Sequence, residues 1–198
     1  FAALSYSLGR NVQSGSTSLD DERACILANQ LIAHSQQVQQ VIAQMLMTGS
    51  QIGDIDFTMP DEAGFGTGAI NQVFHPAGGG MNVFNDSDED FYGSSNADRG
   101  WHGQTGTNIE WSESTGTDLI YSFLYVDDSV CSKINEILNG DDTVPADAAL
   151  DFDVHFINGG GDDDTLETAD CAPCEGIYAQ CVTDTGVGNV FYTIPASQ

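Results

Sequence analysis

From Ser18 to Thr48 the chain contains neither glycine nor proline. Within that stretch apolar or small residues recur as Ala24, Leu27/Ala28, Leu31, His34/Ser35, Val38, Val41/Ile42 and Met45. Alternating steps of three and four keep these side chains in one stripe, so the segment predicts a long amphipathic helix. Glutamines occupy the other side: Gln30, Gln36, Gln37, Gln40 and Gln44. Ser18 is a suitable N-cap, Asp20, Asp21 and Glu22 suit the positive end of the helix dipole, and Gly49 is the natural stop. At ~1.5 Å per residue the rod spans roughly 45 Å, more than the width of a domain of this size. One end is therefore expected to project and to be received by something else.

Charge narrows the partners. The chain has 198 residues, with 4 Lys+Arg against 30 Asp+Glu and a net charge of −26. Binding to nucleic-acid phosphate or to an anionic membrane surface needs basic groups, so no nucleic-acid partner is expected. Such acidity suits a marine or halophilic setting, where counterions screen self-repulsion, or a surface that collects divalent cations. A hydrophobic content of 40% excludes wholesale disorder and provides for a core.

Beyond the rod the chain reads as strands and turns. Ile52–Phe57 alternates like a strand, Met81–Phe84 is a further candidate, and Asn108–Trp111 with Thr117–Val126 suggests a hairpin. Asp118–Val126 is the most apolar stretch outside the rod and is expected to be a central strand. Asp128 is placed to cap a short helix, Ser129–Asn139, with Val130, Ile134, Ile137 and Leu138 inward and Gly140 at its end. Asp151–Ile157, Ile177–Val182 and Asn189–Ile194 complete the expected strands. The fold class is α+β: a long N-terminal α-helix packed on an antiparallel sheet, one short inserted helix and a disulfide-braced C-terminal region.

Of the five cysteines, Cys131, Cys171, Cys174 and Cys181 are the disulfide candidates, their pairing open, and Cys25 on the rod is left over. Cys171-Ala-Pro-Cys174 also has the spacing of a zinc or redox site. However, no histidine lies close by, and Pro173 with Glu175-Gly176 argues for a turn. Two oxygen-rich loops are Ca²⁺ candidates. One holds Asp86, Asp88 and Asp90 at alternate positions; the other holds Asp162 and Asp164 behind three glycines. The first is no EF-hand, since Phe91 and Ala97 stand where that loop needs Gly and Glu. The histidines His34, His75, His102 and His155 are scattered, with His34 on the apolar stripe. No nucleophile elbow, zinc-protease or phosphate-loop motif occurs, and no catalytic residue is assigned. Trp101, Trp111 and Tyr92 offer an aromatic platform for a glycan.

Phe1-Ala-Ala-Leu4-Ser-Tyr-Ser-Leu8 is apolar, and Gly9–Thr17 reads as a hinge before the rod. With Leu19–Met47 behind it and the cysteines at Cys131 and Cys171–Cys181, this layout resembles type IV pilins and pseudopilins. Ser5 stands where mature members of that family carry a glutamate. The resemblance implies that the apolar octad ends a longer hydrophobic helix, that residues 1–17 are its end and hinge, and that 18–198 form a single pilin-like domain. It further implies a non-enzymatic extracellular, cell-surface or periplasmic protein. Such a protein would associate with like subunits or other pilin-like proteins, or with a membrane, through Phe1, Leu4, Leu8, Leu27 and Leu31. The alternative is a free-standing secreted module that binds Ca²⁺ or a glycan, and behind it an extracellular hydrolase.

Overall fold

The helix stripe finds its counterpart in a sheet. In the computed structural model, which describes residues 17–113, 115–147, 149–157, 165–184 and 187–197, α1 runs from Thr17 to Thr48, 32 residues. Its stripe from Ala24 through Leu31, Val38 and Ile42 to Met45 is buried along the whole length. Met45 O receives the Ser50 amide and Leu46 O that of Gly49, whose φ of +113° takes the chain out of the helix. The sheet beneath has five strands in the order β1 (Gly100–Gln104), β2 (Leu119–Val126), β5 (Gly188–Ala196), β4 (Ala179–Asp184) and β3 (Ala146–Asp147). The first four are antiparallel. The two-residue β3 joins β4 in parallel, so the sheet is mixed rather than the antiparallel one expected.

Every residue of β2 is buried, because both faces of the sheet are covered. Leu119, Tyr121 and Phe123 point to the helix side, into a core shared with α1 and α2 (Asp128–Asn139). Ile120 and Leu124 enter a second core with Ile109, Phe152, Phe156, Leu166 and the Cys171–Cys174 turn. Strict alternation would send Tyr125 back to the first face. Instead a bulge between Leu124 and Val126 puts Tyr125 at φ +63°, so Leu124 and Tyr125 share the second core and Val126 returns to the first.

Several expected elements differ. Asp151–Ile157 is not a strand; α3 (Phe152–His155) is a helical turn whose Phe156 amide bonds Phe152 O at 2.9 Å. Phe152 and Phe156 lie four apart, a spacing that serves a strand face and a helix face equally, and both bury in the second core. Ile52–Asp54 is a 3₁₀ turn, with Ile52 and Ile55 buried three apart, and Met81–Phe84 has no regular structure. β2 pairs with Gly100–Gln104 rather than with Asn108–Trp111; Ile109 instead makes an isolated bridge to Leu166. In α2 the cap is Asp127, whose carboxylate accepts the Ser129 amide at 2.9 Å, and Gly140 closes the helix in the left-handed region. Cys131 and Asn135 turn inward with Val130 and Ile134, which leaves Leu138 half-buried and Ile137 exposed.

Cys131 joins Cys181, and Cys171 joins Cys174; Cys25 is free. The first bridge ties α2 to β4, where Asn135 doubles the tie. Its amide group donates to the Cys181 and Thr143 carbonyls, and its oxygen accepts the Cys181 amide at 2.8 Å. Two disulfides fit a chain that matures in an oxidising compartment.

Candidate functional site

The surface that stands out is the outer side of α1. Between Ala24 and Thr48 the helix carries no Asp, Glu, Lys or Arg, although the chain has 30 acids. Ile26, Gln30, Ala33, Gln37, Gln40, Gln44 and Met47 form one exposed line in steps of three and four. Ile26 is 58% and Met47 88% exposed, apolar side chains at either end of a polar but uncharged strip. Leu27 and Leu31, expected on an assembly face, lie on the opposite side: they are buried in the chain's own core and are not available to a neighbour. Phe1, Leu4 and Leu8 fall outside the described residues. The described helix does not project, since Ala24 and Met45 are both buried.

What fixes α1 in this orientation is polar as well as apolar. His34, on the buried stripe, sits with its Nε2 3.0 Å from the Tyr121 hydroxyl and its ring among Phe84, Trp101 and Tyr121. Burial disfavours the imidazolium and pushes its pKa down to about 4; burial likewise raises that of Tyr121. At the start of the helix Arg23 reaches the acidic loop. Its Nη2 donates to both oxygens of Asp88, at 3.0 and 3.1 Å, and its Nε pairs with Asp90. The Tyr92 hydroxyl donates to Asp86 at 2.7 Å.

These partners engage the three acids of the first calcium candidate. Asp88 and Asp90 face a guanidinium and Asp86 a phenol, and among the described residues no group of three His, Cys, Asp or Glu side chains could hold a metal. The loop works as a clamp on the helix. Asp162 and Asp164 lie outside the described residues. The other Lys and Arg among the described residues are equally engaged: Arg99 with Glu89 at 2.6 Å and over the Tyr92 ring, and Lys133 with Asp21 and Glu136. Glu89 is held below the usual carboxylate range by the hydrogen bond from Arg99, and Lys133 above the usual ammonium range by those to Asp21 and Glu136.

The aromatic platform does not form. Trp101 is buried and stacked on Tyr121 with centroids 4.5 Å apart, Tyr92 stacks on Phe123, and Trp111 packs against the second core. His75 accepts the Ala77 amide, and His102 meets the Asp98 carbonyl, so neither has a nucleophile as its hydrogen-bond partner. Sequence reasoning missed Gln72. It is wholly buried, donates to Asp56 and to the Gly64 and Thr67 carbonyls, accepts the Gly66 amide, and so folds the 56–72 loop around itself. A single glutamine in a Gly-rich stretch carries no signal of that role. It also missed the groove beside α1, whose walls come from segments far apart in the chain.

Among the described residues no helix is long and apolar enough to cross a membrane. Compared with protein-family models, curated proteins and solved structures, the chain matches none.

Proposed function

We propose that this is a non-enzymatic, pilin-like assembly protein of the cell surface or extracellular space, which associates with like subunits along its N-terminal helix. The single observation that carries this reading is the absence of charge from the outer side of α1 beyond Arg23, in a chain of net charge −26. An ordinary solvated helix face in such a chain would share its carboxylates; a face reserved for contact excludes them, because a buried unpaired charge costs several kcal/mol. The apolar octad with Phe1, Leu4 and Leu8 would then enter a membrane or a bundle of like helices. The two disulfides support the extracytoplasmic placement.

Shearing intact cells of the source organism and sedimenting the released material tests the reading. The chain is expected in a fibrous, sedimentable fraction, and deletion of residues 1–8 is expected to remove it from there. Recovery of the chain solely as a free monomer would overturn the assignment.

A further inference from the structure

We propose that the groove between α1 and the β4–β5 side of the sheet seats a second copy of this chain, with Met47 of that copy inserted. The inference rests on the assembly reading above and names the contact it would use. The groove has a volume of about 200 Å³, and its walls include Ile32 and Ser35 of α1, Leu138, Tyr178, Phe191 and Ile194. None of its lining residues is charged, and Tyr178 at its rim is 49% exposed. The groove adjoins the uncharged side of α1 through Gln36 and Gln39, so the two form one continuous surface.

Given an assembly of like subunits, charge places the contact. Three other clefts carry carboxylates: Asp56 and Glu62 beside Trp101, Asp20, Glu89, Asp90 and Asp127 at the start of α1, and Asp141 below α2. A cationic partner would seek those clefts. A second copy, itself at −26, meets repulsion at each of them, and the described cations Arg23, Arg99 and Lys133 are already engaged with carboxylates of their own chain. Repulsion between two copies is least where neither presents a carboxylate. Of the exposed apolar side chains on the uncharged strip, Met47 is the more accessible, and its unbranched thioether adapts to an irregular slot. Knob and slot lie at different places along α1, so a reciprocal exchange closes a pair and a one-way contact propagates a chain of subunits.

Sedimentation velocity of the 198-residue chain at 0.1 and 1 M NaCl tests this, with Tm recorded for every variant. Wild-type association is expected to strengthen with salt, as repulsion between the copies is screened. Tyr178→Asp and Met47→Asp are each expected to weaken it by roughly tenfold or more, since either buries a carboxylate in the contact. The double variant brings the two carboxylates face to face and is expected to be weaker than either single one. Should Tyr178→Asp lower Tm, Gln39→Glu on the exposed helix wall makes the same test. Association that salt weakens, or that these variants leave unchanged, would overturn the groove while the assembly reading stands. A chain that stays monomeric at 1 M salt would overturn both.

Discussion

Acid is expected to loosen α1 from the sheet through His34. In the unfolded chain its imidazole titrates near 6.5, and in the folded protein burial holds it to about 4. The native state therefore resists a proton that the unfolded chain takes up readily. Above about pH 6.5 this group favours neither state; as pH falls from there towards 4 the unfolded state gains stability, and below 4 the loss is complete. At 1.36 kcal/mol per unit, a difference of about 2.5 units amounts to about 3 kcal/mol, a large share of the 5–15 kcal/mol that holds a domain together. Urea unfolding from pH 7.5 to 4, on wild type and His34→Gln, measures it. The variant keeps a hydrogen-bonding group near the Tyr121 hydroxyl and removes the titration. Carboxylates contribute equally to both proteins and cancel, so wild-type minus variant stability is expected to be flat above pH 7 and to fall by about 3 kcal/mol by pH 4. A difference independent of pH, or an NMR titration of His34 near 6.5 in the folded protein, would refute the reasoning.

Opening Cys131–Cys181 frees a loop with 50 residues of separation, and the Cys131→Ser/Cys181→Ser protein is expected to lose about 4 kcal/mol in urea unfolding through the larger entropy of its unfolded chain. Thiol titration of the unreduced, denatured wild type should find a single free thiol, that of Cys25. Arg23→Ala releases the acidic loop; because the pairs are exposed, stability should fall by no more than about 1 kcal/mol, while hydrogen exchange at the Phe91 and Tyr92 amides accelerates. Gly103→Ala drives a Cβ into the Phe57 ring, and the forced shift is expected to cost about 1–3 kcal/mol, read from the urea midpoint.

Two elements were legible for clear reasons. α1 announces itself through a stripe sustained over many turns, which only one period fits. β2 shows as an unbroken apolar run because both sides of it are covered. β1 was not legible: Gly100-Trp-His-Gly-Gln104 has two glycines and no β-branched residue, and it is a strand because Phe57 packs onto Gly103 and Trp101 stacks on Tyr121. The alternating aspartates give no sign of Arg23, which lies 65 residues away from Asp88 and bonds it in the fold. Leu27 and Leu31 illustrate the same limit on the candidate contact surface. Their helical face was correctly grouped, but whether it met the chain's own sheet or a neighbour was not written in its period.

The sequence alone determined the amphipathic rod, its glutamine side, the heavy negative charge and the presence of cysteines able to pair. Tertiary structure alone decided which face of the rod is spent inside the molecule, which thiols join, that Asp88 and Asp90 hold an arginine, and that a groove opens beside Tyr178. The division has one physical cause. Periodicity and charge are properties of neighbouring residues, whereas partners such as Arg23 with Asp88 or Cys131 with Cys181 are far apart along the chain and meet only once the sheet has closed beneath the helix.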